Sequence, residues 1–307
     1  MTVAHHKIFA ATILLALALA AAMFHFRATP QTTAMLCSAK TYPLSHSAGA
    51  PHIEIDIDGT PARALLDYGA TQSSLRAKAA TDVGLLVKAA TSLPLPGESE
   101  FLARHADPAT DAIIGTDLLA HLTVALNATT AAISATPCAA SQLQEAGFTP
   151  IDQRGFFSPG RVHVAHDRPN VPVVFLRIGA AKTWAQIDTG YDDDLYPHSL
   201  DINQAFHDAL IADGASLTLQ NHVTVKTCAG FESRPVYSSR QPLVITNESG
   251  AAVAQTRDYY LIVKPANICG GIAAQTTPAA QLGVSFLRLF QTIVFDPQAG
   301  RVWIKKD

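Results

Sequence analysis

The chain carries little charge: only 15% of its 307 residues are Asp, Glu, Lys or Arg, and the formal net charge is -3. No cluster of Lys and Arg stands anywhere along it, so nothing supplies the basic surface that a nucleic-acid partner requires. Cysteine is scarce as well. The four residues, Cys37, Cys138, Cys228 and Cys269, never come at C-x-x-C spacing, which argues against a dithiol redox centre or a zinc site. Cys37 follows Met35-Leu36, without the small residues that lipoprotein processing needs. There is no G-x-S-x-G elbow and no phosphate-cradling Gly loop, so serine-hydrolase and nucleotide-binding readings have no residues to rest on. His163-x-x-His166 lacks a third ligand for a metal and reads as surface. No metal and no cofactor are expected. What the chain does have is apolar residues, at 48%, enough to build a core and to argue against wholesale disorder.

The clearest address lies at the N-terminus. His5-His6-Lys7 precede an apolar run from Ile8 to Phe24, broken only by Thr12, and Arg27 follows. Residues 1–27 read either as a signal peptide, with Ala18-Leu19-Ala20 as its cleavage site, or as an uncleaved hydrophobic helix. The run sits at the short end of the roughly 17–25 residues that a membrane anchor needs. Both readings export the remainder, so the expected location is extracytoplasmic (periplasmic or secreted), with membrane contact only through residues 8–24. An even number of cysteines agrees with an oxidising compartment. Four cysteines allow three pairings, and the sequence does not choose among them.

Residues 28–50 read as linker. From His52 the pattern changes: Ile53, Ile55 and Ile57 alternate with Glu54, Asp56 and Asp58, the period of a half-buried strand, and Asp58-Gly59 supplies a hairpin turn. A short apolar strand, Ala62 to Leu66, then runs into Asp67-Tyr68-Gly69-Ala70. The arrangement recurs: Val171 to Gly179 is a strand and turn, and Trp184 to Ile187 leads into Asp188-Thr189-Gly190. Each copy has a matching tail, Ile113-Ile114-Gly115-Thr116-Asp117 in the first and Leu282-Gly283-Val284-Ser285 in the second, each ahead of a short helix and two strands around a turn. An internal repeat of this kind divides the chain into lobes at 51–136 and 171–307, joined by a connector at 137–170.

A lone Asp-Thr-Gly is ordinarily a surface turn. Two such triplets, each after an apolar strand and each followed by an apolar-Gly-helix tail, resemble the aspartic peptidases, both the single-lobed retropepsin type and the fused pepsin-like pair. The resemblance covers most of the chain beyond the linker. It implies an all-β, bilobal pepsin-like fold of two retropepsin-like lobes, preceded by the N-terminal helix. It also implies an aspartic endopeptidase that hydrolyses a peptide or protein substrate in the cleft between lobes. Asp67 and Asp188 take the catalytic positions, Gly69 and Gly190 the tight turns, and Thr189 the clasp between lobes. Ile113, Ile114, Gly115, Leu282 and Gly283 form the strands of the psi motif.

The sequence departs from that family at Tyr68, where Thr or Ser is the rule, and at Tyr191-Asp192, where a small residue and a hydroxyl are usual. These departures favour a second reading: a catalytically inactive relative that binds peptide or protein in the same cleft. The Tyr68 ring is expected to turn from the interface onto apolar side chains of the first lobe, leaving Thr189 to span the lobes alone. Leu93 to Glu100, with Pro94, Pro96 and Gly97, is the candidate flap. Asp192-Asp193-Asp194 lacks the spaced oxygen ligands of a calcium loop and reads as solvated, with negative charge near the dyad. With two cysteines at the edges of each lobe, the expected disulfides are Cys37–Cys138 and Cys228–Cys269, each contributing about 2–4 kcal/mol. Peptide mapping under non-reducing conditions is expected to recover those two pairs; a Cys138–Cys228 peptide refutes them.

Overall fold

A computed structural model describes residues 39–152 and 171–306, apart from 48, 106, 193–194, 228–229, 248 and 267–270. Residues 1–38, with the apolar run and Cys37, lie outside the described residues, as do Cys228, Cys269 and the His163-x-x-His166 pair. Among the described residues no helix is long and apolar enough to cross a membrane. The protein is all-β, its helices short and peripheral to three sheets.

The first half runs through β1 (Lys40–Pro43), β2 (Ser45–Ser47), β3 (Ala50–Ile57), β4 (Thr60–Leu66), β5 (Ser74–Arg76), β6 (Leu86–Ala90), β7 (Glu98–Arg104) and β8 (Ala112–Ile114). Helix α1 (Thr116–Leu119), β9 (Thr123–Asn127) and β10 (Thr130–Ser134) complete it. Helix α2 (Ala140–Glu145) and β11 (Thr149–Asp152) follow. The second half runs through β12 (Val173–Ile178), β13 (Ala181–Ile187), β14 (Ser199–Asn203), α3 (Gln204–Ala212), β15 (Leu217–Thr227), β16 (Gly230–Ser239), β17 (Leu243–Thr246) and β18 (Ala252–Thr256). It ends with β19 (Tyr260–Lys264), β20 (Ala279–Leu282), α4 (Val284–Leu287), β21 (Thr292–Asp296) and β22 (Arg301–Lys305).

The local signals act as their chemistry requires. Ile53, Ile55 and Ile57 are buried while Glu54 and Asp56 face solvent, and Asp58 and Gly59 both take positive φ, the pair of left-handed residues that a tight hairpin turn needs. The repeat is then visible in the sheets. In the seven-stranded sheet, β3 and β4 pair antiparallel, β4 and β8 parallel, β8 and β5 antiparallel, β5 and β7 parallel, and β7 and β6 antiparallel. In the nine-stranded sheet, β12, β13, β20, β14, β19 and β16 repeat that order and those directions.

A third sheet joins the halves, in the order β1-β10-β9-β21-β22-β11. Its middle is the antiparallel pair β9 and β21, in which Ala125 lies opposite Val294. Aligning Thr123–Asn127 with Thr292–Asp296 makes those same two residues equivalents, so the repeat's two-fold relation passes between them. β1 flanks one side of this sheet as β11 flanks the other. This revises the sequence boundaries. Lys40–Pro43 and Ser45–Ser47 are strands rather than linker, and the connector contributes α2 and β11. Short strands of this sort carry too few alternating positions to stand out in sequence; pairing with distant partners forms them.

Two cores result. The main one fills the two larger sheets, and a smaller one lies against the joining sheet, where Trp303 packs with Ala125, Ala132, Cys138, Leu143, Phe148 and Val294. Trp303→Ala is expected to cost about 3–5 kcal/mol of stability, read by urea unfolding, because the site is sealed by α2.

Candidate active site

Each triplet sits where a strand of the repeat ends. β4 delivers Asp67, whose N–H donates to Ile114 O at 3.0 Å, and β13 delivers Asp188, whose N–H donates to Leu282 O at 2.9 Å. The strands carrying Ile113-Ile114 and Leu282 thus run parallel beside the two aspartate strands. Beyond each, a glycine lets the chain pass under the aspartate loop: a Cβ on Gly115 would press on the Ala70 carbonyl, and one on Gly283 on the Tyr191 carbonyl. Thr116 N–H donates to Ala70 O and Val284 N–H to Tyr191 O, both at 2.8 Å, so the two loops are held in the same manner.

The two aspartates face each other. Their side chains are half-buried and hydrogen-bonded together. A Cβ placed on Gly69 would fall on the Asp188 carboxyl, and one on Gly190 would fall on the Asp67 carboxyl. Asp67 Oδ1 accepts from the N–H groups of Gly69 (2.8 Å) and Ala70 (3.1 Å), and Asp188 Oδ1 accepts from Gly190 N–H (2.9 Å). Burial raises both carboxyls above the ordinary range. For Asp67 the Gly69 and Ala70 N–H groups work against that rise. Asp188 is raised to about 7, by burial first and then by the charge of Asp67, with Lys264 pulling the other way.

Thr189 joins the halves. Its hydroxyl, on a residue 1% exposed, donates to Leu66 O at 2.6 Å and accepts from Tyr68 N–H at 3.0 Å, the two backbone groups that flank Asp67. Tyr68, wholly buried, corrects one expectation. Its ring stacks on Phe295, centroids 3.7 Å apart, and so packs on a strand of the second half rather than on first-half side chains alone. The reason is the joining sheet, which brings β21 beneath the first aspartate loop.

The flap reading is also corrected. Ser92 N–H donates to Asp56 O at 2.9 Å and Asp58 N–H to Ala90 O at 3.0 Å, so the turn after β6 is fastened to the β3–β4 hairpin. That hairpin lies at the start of β4, about 20 Å along the strand from Asp67, so Leu93 to Glu100 does not cover the dyad. Pro and Gly mark a turn in the sequence without saying at which end of a sheet it falls. Asp192 is not solvated: its buried carboxylate pairs with Arg288 Nη2 at 2.8 Å and lies against Gly49. Asp193 and Asp194 lie outside the described residues. Cys138 is disulfide-bonded, its partner outside the described residues.

One set of residues escaped the sequence reading. Gln281, 5% exposed, donates from Nε2 to Asp188 Oδ2 at 2.8 Å, while its Oε1 accepts from Lys264 Nζ at 3.0 Å and Gln186 Nε2 at 3.2 Å. Lys264 Nζ also pairs with the wholly buried Asp201 at 2.7 Å, and Tyr191 OH donates to the other oxygen of Asp201 at 3.3 Å. The available signal was a polar residue in an apolar strand, since a buried amide needs partners.

No known family's sequence model matches the chain, and no curated protein matches it either.

The raised Asp188 pKa has a consequence for folding. The folded state keeps a proton that the unfolded chain has lost, so this group's contribution is full below the ordinary value near 4 and declines as pH rises to about 7. The melting temperature is expected to fall across that window, and Asp188→Asn to flatten the slope, as measured by thermal unfolding at successive pH values.

Proposed function

We propose that this chain is an aspartic endopeptidase with a bilobal pepsin-like fold, the seven- and nine-stranded sheets being its retropepsin-like lobes. The observation that carries the reading is the mutual seating of Asp67 and Asp188, each carboxyl against the glycine of the other triplet. Two carboxyls so close cannot both ionise cheaply, so the pair holds one proton near neutral pH. Burial raises both carboxyls, and because the pair titrates together, the acidity belongs to the dyad and not to either residue.

In the reaction, the ionised carboxyl takes a proton from a water held between the two. The resulting nucleophile attacks the scissile carbonyl of a peptide or protein substrate. The protonated carboxyl hydrogen-bonds the carbonyl oxygen and stabilises its developing charge. The proton taken from the water then passes to the amide nitrogen, the C–N bond breaks, and the amine and the new carboxylic acid leave. The hydrogen bonds from Gly69, Ala70 and Gly190 hold both carboxyls in place throughout. The proposed location is outside the cytoplasm, supported by the apolar run at residues 8–24 and by the half-cystine at Cys138.

The test is cleavage of an unfolded protein substrate across acid to neutral pH. The parent is expected to cleave it, a statine-type inhibitor to block it, and Asp67→Asn and Asp188→Asn each to bring turnover below detection. If the parent is inert at every pH and still binds the statine, the cleft is a peptide-binding surface and the peptidase reading fails.

A further inference from the structure

Gln281 occupies the position that Ile113 holds in the first half, as the alignment of Ile113-Ile114-Gly115 with Gln281-Leu282-Gly283 shows. An ammonium group can only donate, so the Lys264 contact requires the Gln281 carbonyl to face Lys264 and the amide NH2 to face Asp188. Lys264 is held for this task. Its Nζ is anchored on Asp201, and Arg234 Nη1 lies 3.9 Å from the same carboxylate while its Nε pairs with Glu232 at 2.6 Å. The Lys264 ammonium also lies 5.3 Å from the centre of the Tyr191 ring.

We propose that Lys264 and Gln281 are positioning residues that act through Asp188: the ammonium orients the amide, the amide fixes a donor on Asp188 Oδ2, and the pair sets the upper pH limit of the singly protonated dyad. The inference deepens the peptidase reading and rests on it for its meaning in catalysis. Among the described residues, the charged groups that reach Asp188 directly or through Lys264 are Asp67 from the β4 loop, Lys264 on β19, Asp201 on β14, and Arg234 and Glu232 on β16. Asp201 and Lys264 offset one another, as do Arg234 and Glu232, so the amide contact and the nearness of Lys264 to Asp188 decide the sign. A donor and a positive charge both favour the carboxylate and lower its pKa. Without them, Asp188 keeps its proton to higher pH.

The test follows Asp188 itself rather than turnover. In the full chain with carbon-13-labelled aspartate, the Asp188 carboxyl signal is assigned by its loss in Asp188→Asn and titrated by NMR. Gln281→Ile installs the residue that the first half already accommodates as Ile113, and is expected to raise the midpoint by about one pH unit. Lys264→Met is expected to raise it as well, and Lys264→Arg to keep it near the parent value. The alkaline limb of any pH–rate profile moves with it. A folded Gln281→Ile protein with the parent's midpoint overturns the relay, whether or not the chain cleaves peptides. A raised midpoint in a chain without hydrolytic activity supports the relay and locates the failure in the peptidase reading. If Lys264→Met does not fold, because Asp201 loses its nearest cation, Gln281→Ile still decides.

Discussion

One hydroxyl holds the two halves in register at the place where register matters. Thr189 Oγ1 gives its proton to Leu66 O and receives one from Tyr68 N–H, so a single atom fixes the backbone on both sides of Asp67 relative to the residue after Asp188. These are buried backbone groups, and left unpaired each would cost about 1–3 kcal/mol. The joining sheet gives this contact a rigid base, since β9 and β21 pair directly across the two-fold relation and follow the short helices that come after β8 and β20. Positional errors near 1 Å around reacting groups can cost on the order of a hundredfold in rate. For the peptidase proposed here, the arrangement of sheets and clasp would therefore bear on chemistry as well as on stability.

The duplication is closer in backbone than in side chains. Opposite Thr189, the first half has Tyr68, whose ring stacks on Phe295, so an aromatic ring stands where the second half has a threonine. The second half differs in turn at Gln281, where the first has Ile113. The two carboxyls consequently live in unlike surroundings. Asp67 takes two backbone N–H donors on one oxygen, whereas Asp188 takes one backbone N–H and a side-chain amide on separate oxygens. Unlike surroundings separate the affinities of the two groups for the shared proton, which a symmetric pair cannot do.

The parts of this arrangement legible in sequence were those carried by neighbouring residues. Alternation marked Ile53 to Ile57, Asp58-Gly59 marked the hairpin, and the two Asp-x-Gly triplets with their Ile114-Gly115 and Leu282-Gly283 tails marked the repeat. What stayed hidden depends on pairing over long separations. Lys40–Pro43 is a strand because β10 lies beside it, and Thr149–Asp152 because β22 does. The turn after β6 was recognisable, but only its bonds to Asp56 and Asp58 place it away from the dyad. Asp192 read as one of three solvated acids, and only Arg288, 96 positions further on, makes it a buried partner.

Gly69 and Gly190 show how one residue type can serve two constraints at once. Read in sequence, each belongs to a tight turn after an aspartate. In space each is also the surface on which the opposite carboxyl rests, and a Cβ at either would occupy that carboxyl's position. The separation of the two acids is thus set by the absence of two side chains. The same close approach removes water from both carboxyls, and burial is the leading cause of the raised pKa at each. Coupling and desolvation are not independent features here: both follow from glycine facing carboxyl on each side of the interface, held there by the Thr189 hydroxyl.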